Sequence, residues 1–106
     1  MSDDLSSEFV EFERIFDEHC AFSKQLFERK SRNYNVSFRR MGVLGVACDV
    51  NGICGKLQNM LYRYIRTGEL DLEKVSDALT DLHNYANIGK ICLEEENYIG
   101  IEHKAG

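Results

Sequence analysis

The sequence contains no proline and no tryptophan, and none of its apolar runs approaches the ~20 residues that a membrane-spanning helix needs. Proline interrupts helices because it lacks a backbone N–H and clashes with the preceding turn. Its absence therefore permits long helices. The acidic start, Met1 to Asp4, does not resemble a signal peptide. We expect an all-α protein that stays in the cytoplasm and has no membrane partner.

Cysteine pairs with metal-binding spacing are also missing. The four cysteines form no C-x-x-C pair and lie along apolar stripes, at Cys20, Cys48, Cys54 and Cys92. Buried, reduced thiols are a better interpretation of this pattern than a zinc site or a disulfide framework.

Apolar residues recur at three- and four-residue steps in three stretches, which predict three long helices over about 7–30, 42–65 and 71–95. Residues 31–41 are polar, basic and rich in turn formers, and they predict an ordered loop. Residues 97–106 predict a loose tail. We expect the 106 residues to form a single helical domain. Because so short a chain leaves apolar surface uncovered, we expect homo-oligomerisation to complete the helical bundle.

Charge is divided unevenly along the chain. Residues 1–20 hold seven acids and one base, residues 29–66 hold eight bases and one acid, and residues 67–106 hold nine acids and three bases. The acidic total argues against duplex DNA as a partner, because phosphate contacts dominate DNA affinity. The basic stretch either binds a small phosphate-bearing ligand or pairs with the acidic helices beside it.

Four glycines lie in the second predicted helix, at Gly42, Gly45, Gly52 and Gly55. An interior glycine is less favourable than alanine by roughly 0.5–1 kcal/mol. Either a partner helix crosses close to this face, or a ligand lies against the bare backbone.

The third predicted helix carries Asp77, Asp81 and Asn84 on one face, and a heptad seam over residues 72–93. Two carboxylates at that spacing form half of a magnesium site, which takes one or two carboxylates together with substrate phosphates. The second predicted helix adds only Asp49. A solvated polar face is the alternative interpretation.

Three segments agree with one protein family in their order and spacing. They are Asn-Tyr-Asn-Val-Ser-Phe at 33–38, Met-Gly-Val-Leu-Gly-Val at 41–46 followed by Lys56-Leu57, and Asp-Ala-Leu-Thr-Asp-Leu-His-Asn-Tyr-Ala at 77–86. Over roughly residues 20–95 the chain resembles the nucleotide modification associated domain 1 family. That phage-rich group of small helical proteins is similar in layout to the all-α nucleoside triphosphate pyrophosphatases.

The metal motif of that family is only partly kept. The third segment retains Asp77, Asp81, Asn84 and Tyr85. The family's Asp-Tyr-Gly signature is altered to Asn-Tyr-Asn at 33–35, and its run that looks like R-x-D-D-K becomes Asp-Val-Asn-Gly-Ile at 49–53. The resemblance therefore implies a surviving scaffold and pocket with an impaired metal centre, because Asn51 and Gly52 do not replace carboxylates around a divalent ion.

These observations favour a non-catalytic protein that binds and sequesters a nucleotide. A phage-encoded member would act in the host cytoplasm and would resemble the small helical sponges that hold cyclic nucleotide immune signals, an anti-defence role. The expected ligand-binding residues are Arg32, Tyr34, Phe38, Arg39, Arg40, Asn51, Lys56 and Asn84. Arg39 and Arg40 lie three and two residues before Gly42. We therefore expect their guanidinium groups beside the free N–H groups of a helix N-terminus, which attracts phosphate.

Two alternatives stay open. The first is a metal-dependent nucleoside triphosphate pyrophosphohydrolase that holds Mg²⁺ with Asp49, Asp77 and Asp81. The second is a helical protein-interaction module without a small ligand. Only the first alternative requires a cofactor.

We expect no appreciable hydrolysis of nucleoside triphosphates with magnesium or manganese, because the second predicted helix offers a single carboxylate for the metal. Phosphate or pyrophosphate release from standard and modified triphosphates checks this. Turnover that the Asp81→Asn variant abolishes would contradict the expectation and restore the enzyme interpretation.

Overall fold

In the computed structural model the chain forms two long helices. α1 spans Ser2–Thr67 and α2 spans Leu72–Glu94. Gly42 breaks α1, with φ 63° and ψ −159°. α1 therefore consists of an N-terminal arm, residues 2–41, and a central arm, residues 43–67.

The structure describes the backbone of residues 2–100 and the side chains of residues 6–29 and 41–100. Within this part of the chain three helical segments pack together and no strand occurs, so the all-α prediction is confirmed. None of its helices has a stretch long and apolar enough to span a membrane.

The loop predicted over residues 31–41 is wrong, because the N-terminal arm continues as helix until Gly42. The arm also begins at Ser2 rather than near residue 7. Serine and asparagine favour turns, but each disfavours a helix by only about 0.5 kcal/mol relative to alanine. The segment contains neither glycine nor proline to stop the helix. The break therefore comes at the first residue that adopts a non-helical backbone freely.

The break at Gly42 is held by the segment that follows α2. The N–H of Val43 donates to the carbonyl oxygen of Asn97 at 3.0 Å, and the N–H of Leu44 donates to the carbonyl oxygen of Tyr98 at 2.8 Å. A helix N-terminus leaves such donors without intrahelical partners. A Cβ at position 42 would lie 2.6 Å from the carbonyl oxygen of Asn97. Glycine is thus required both by its backbone angles and by the close approach.

The prediction of a loose tail over residues 97–106 is wrong for residues 97–100. Asn97 and Gly100 are buried, and the N–H of Gly100 donates to Oδ1 of Asn97 at 3.0 Å. Residues 101–106 lie outside the described part of the chain.

A small core joins the three segments. Val46, Ile88 and Cys92 are buried, and four half-buried side chains pack against them: Phe27, Val43, Val50 and Tyr85. The seam predicted on the third helix is wrong at four of its seven positions. Leu72, Leu79 and Leu93 are exposed by 73%, 52% and 56%, and Ala86 is exposed as well. The helix packs instead along the stripe that contains Ile88 and Cys92.

The ends of the other helices fall within two residues of the predicted bounds. Gly68 follows α1 with φ 73°, and its N–H donates to the carbonyl oxygen of Tyr64 at 2.8 Å. Asp71 caps α2, because its side chain accepts the N–H of Lys74 at 3.1 Å.

Residues 6–19 of the N-terminal arm are exposed without exception. Phe9, Phe12 and Phe16 keep 65%, 69% and 58% of their surface accessible. Large aromatic side chains on one helix face are unusual on a free surface. Homo-oligomerisation, which would cover them, stays a prediction.

The four cysteines, all within the described part of the chain, are reduced thiols. Burial is confirmed for Cys92 and wrong for Cys48, which is exposed, while Cys20 and Cys54 are half-buried. Burial, with a smaller contribution from the charge of Glu95, raises the pKa of the Cys92 thiol. Cys92 therefore stays protonated and behaves as an apolar core residue.

We expect Gly42→Ala to lower the free energy of unfolding by more than the matched variant Gly68→Ala. Both positions have positive φ, but an added Cβ meets nothing within 4 Å at Gly68 and meets backbone at Gly42. The backbone of Gly42, with φ 63° and ψ −159°, lies in a region that is essentially restricted to glycine, where another residue costs about 1–3 kcal/mol. The crowded site adds to this cost. Urea unfolding measures both values; equal losses would mean that the segment over residues 97–100 does not hold the break.

Candidate functional site

A groove lies where residues 20–27 of the N-terminal arm cross residues 83–91 of α2. Its volume is about 380 Å³. The lining residues are Cys20, Lys24, Phe27, His83, Asn84, Asn87, Ile88 and Ile91. Most of this surface is apolar, and a few polar groups converge on it, which is the usual composition of a small-molecule site.

Asn84 is the unusual residue of this groove. Its side chain is only 5% exposed, and its Nδ2 has no hydrogen-bond partner among the described residues. A buried donor without an acceptor costs about 1–3 kcal/mol. Buried amides in folded proteins are nearly always paired, so an orphaned one needs a reason. A ligand acceptor, reached by rotation of the side chain toward the groove, supplies one.

The rim of the groove is polar. Lys24, His83 and Asn87 are exposed, and Nδ2 of Asn87 lies 3.4 Å from Nε2 of His83. The ammonium of Lys24 is available for an anion, whereas the imidazole and the amide together offer both donors and acceptors.

A second groove, of about 440 Å³, separates the central arm from the first half of α2. Its lining residues are Ile53, Lys56, Asn59, Met60, Lys74, Asp77, Ala78 and Asp81. Two lysines accompany the two carboxylates, so the local charges balance. Asp49 is exposed and does not line this groove. Among the residues that the structure describes, no group of three or more acidic, histidine or cysteine side chains is placed to hold a metal ion.

The structure separates the sequence-predicted ligand residues that it describes. Asn84 lies in the first groove and Lys56 in the second. Asn51 is exposed and lines neither. The side chains of the other five, Arg32, Tyr34, Phe38, Arg39 and Arg40, lie outside the described residues, although their backbone belongs to the N-terminal arm.

The expectation of an anion site at the start of the second helix needs correction. The N–H groups of Val43 and Leu44 donate to backbone carbonyl oxygens of Asn97 and Tyr98. These two donors are therefore not free to hold a phosphate. The predicted site rested on helix N–H groups and on the guanidinium groups of Arg39 and Arg40, and the N–H groups of Val43 and Leu44 no longer support it.

Sequence reasoning missed Lys24, Phe27 and Asn87 as candidate site residues. One signal was present: Asn84 interrupts the apolar stripe that continues to Ile88 and Cys92 on α2. A polar residue in such a stripe indicates either a satisfied core amide or a binding site. Comparison with family models, curated proteins and solved structures found no match to this chain.

We expect Asn84→Leu to raise the melting temperature of the ligand-free protein, because leucine removes an unpaired buried donor at similar volume. Asn97→Leu is the matched control. Asn97 is 3% exposed, and its Oδ1 accepts the N–H of Gly100. Asn97→Leu removes this hydrogen bond and should lower the free energy of unfolding by about 1–3 kcal/mol. Calorimetry compares the two variants, and a destabilised Asn84→Leu protein would mean that this amide is already paired.

Proposed function

We propose that the chain is a non-catalytic nucleotide-binding protein and that its ligand occupies the groove between the N-terminal arm and α2. The observation that carries this proposal is the buried Nδ2 of Asn84, which has no hydrogen-bond partner among the described residues and lies in the wall of a largely apolar groove. Such an amide favours a ligand that brings its own hydrogen-bond acceptor into the groove.

A nucleobase matches the chemistry of the inner groove. Its ring nitrogens and carbonyl oxygens accept hydrogen bonds, and its faces are flat and apolar. Phe27 and Ile88 line the groove beside Asn84, and aromatic rings stack favourably on other flat rings. The volume of about 380 Å³ falls within the range of about 300–1,000 Å³ that is typical for small-molecule pockets.

The polar rim suits the rest of a nucleotide. Lys24 is exposed and would pair with a phosphate, and a hydrogen bond to a charged group contributes about 1.5–3 kcal/mol. His83 and Asn87, which lie 3.4 Å apart, would bind sugar hydroxyls or a second phosphate.

Sequestration without conversion is the form of the function that we favour. The resemblance described above leaves the metal run altered at Asn51 and Gly52, and it leaves Asn84 in place. A protein that only holds its ligand must be present in amounts comparable to that ligand. A cyclic nucleotide immune signal, which acts at low concentration, is therefore a suitable target for an anti-defence sponge.

In the pyrophosphohydrolase alternative the active site would be the second groove, which is lined by Asp77, Asp81 and Lys56. In that alternative the two carboxylates would hold Mg²⁺ and Lys56 would pair with a substrate phosphate. A ligand in that groove would respond to Asp81→Asn and would not respond to changes at Asn84.

We expect linear or cyclic nucleotides to bind with a dissociation constant below about 1 mM, and Lys24→Ala to weaken that binding by about 1.5–3 kcal/mol. Asn84→Leu should abolish binding while leaving a folded protein. Lys90→Ala is the matched control, since Lys90 is an exposed lysine of α2 outside the groove lining. Isothermal calorimetry on the four proteins makes the comparison.

Two outcomes would contradict the proposal. A failure of every nucleotide, linear or cyclic, to bind at millimolar concentration would leave the interaction-module alternative. Binding that survives Asn84→Leu and falls with Arg39→Ala or Arg40→Ala would instead move the site to the arginine segment.

A further inference from the structure

The N-terminal arm carries a packing face that no described part of this chain covers. Phe9, Phe12 and Phe16, which we name the phenylalanine face, continue at helical spacing into Ser23 and Phe27. Beside α2 the same face of the helix packs against the core: Ser23 is only 5% exposed, and Phe27 contacts the core residues. Nearer the N-terminus the three phenylalanines are exposed. They therefore extend an established packing surface into a part of the arm that no described residue covers.

The central arm carries a second uncovered face, opposite the stripe that contains Val46 and Val50. We name it the small-residue face; its members are Leu44, Cys48, Gly52, Gly55 and Tyr62. Among the described residues, no atom lies within 4 Å of a Cβ added at Gly52 or Gly55. The close contacts that surround the glycines at positions 42 and 45 are absent here. Two helix-destabilising residues are thus kept without any reason within the described chain.

The two faces complement each other in shape. Glycine has no side chain, so it leaves a shallow depression on a helix surface and lets a second backbone approach closely. Large aromatic rings on one helix fit against such a depression on another. At a rise of about 1.5 Å per residue, residues 6–19 extend about 20 Å and residues 44–62 about 27 Å. The first face therefore fits along the second.

The two faces also complement each other in charge. Residues 6–19 hold five acidic side chains and one arginine, a balance of −4, whereas residues 43–67 hold three basic side chains and one aspartate, a balance of +2. Glu13 and Asp17 flank the phenylalanine face, and the exposed Arg66 flanks the small-residue face. Pairing two N-terminal arms with each other would instead bring two surfaces of balance −4 together, which is unfavourable.

From these observations we infer that the phenylalanine face docks on the small-residue face of a second copy of this chain. Both copies present both faces, so the contact occurs twice about a two-fold axis, as in most homodimers. The inference is independent of the proposed nucleotide site.

Sedimentation equilibrium of the full chain tests the assembly. We expect a dimer, and we expect Phe12→Ser and Gly52→Leu each to raise its dissociation constant at least tenfold. Leu72→Ser is the matched control and should leave the constant unchanged, because Leu72 is an exposed apolar residue, 73% accessible, outside both faces. Circular dichroism verifies that each variant is helical; Gly52→Leu replaces a poor helix former with a good one.

Charge reversal distinguishes the two pairing modes. Asp17→Lys should weaken a dimer in which the arm meets the central arm of the second copy, and Arg66→Glu in the same chain should restore it. In a dimer of paired acidic arms, Asp17→Lys would tighten association, and Gly52→Leu would have no effect. Either of these two results would overturn the inference, as would a monomer at all accessible concentrations.

Cross-linking locates the contact directly. Cys48 is exposed on the small-residue face. A thiol introduced by Glu13→Cys, beside the phenylalanine face and with its three rings in place, should therefore form a disulfide with Cys48 of another copy under mild oxidation. Adding Cys48→Ser should abolish that product, and mass spectrometry identifies the linked peptides. Capture of another protein, with no link between copies, would assign the faces to a different partner and overturn the inference.

Discussion

The fold depends on the closure of residues 97–100 over the break at Gly42. Two backbone hydrogen bonds, from Val43 and Leu44 to the segment after α2, join parts of the chain that are distant in sequence. They hold the start of the central arm against the segment that follows α2. The core around Ile88 lies between the two arms and α2. The groove depends on the packing around this core, because its walls come from the N-terminal arm and from α2.

This closure also bears on the position of the proposed ligand site. A helix N-terminus is ordinarily a good anion site because its N–H groups are unpaired. Here the chain pairs two of them with its own carbonyl oxygens, whereas at Asn84 it leaves a buried amide without a partner among the described residues. Under the proposed function, the stability that this amide costs is the counterpart of ligand binding. We therefore base the proposed function on this buried amide in a largely apolar groove rather than on the basic stretch of the sequence.

Periodicity predicted the helical class, the end of α1 and both ends of α2, because apolar spacing, Gly68 and Asp71 act within a few residues of the places they mark. It failed at residues 31–41, where turn-forming side chains indicate a loop although single residues of this kind rarely stop a helix. It failed again at Asn97 and Gly100, which are buried beside Gly42, far away in sequence. The sequence predicts Asn84 as a ligand residue, and that stays a prediction. Lys24 and Phe27, which line the same groove, lie on another helix. Local sequence pattern contains no information about which helices cross.

The exposed part of the N-terminal arm has a thermodynamic consequence. A helix of this length without tertiary contacts is marginally stable in water; within residues 6–19 the ion pairs of Arg14 with Glu11 and Glu18 add only local support. Docking on another molecule would supply the missing free energy, so helix formation in this arm and association would be one coupled equilibrium. The helical content of the chain would then rise with protein concentration, and a dilution series followed by far-ultraviolet circular dichroism would report assembly through secondary structure alone.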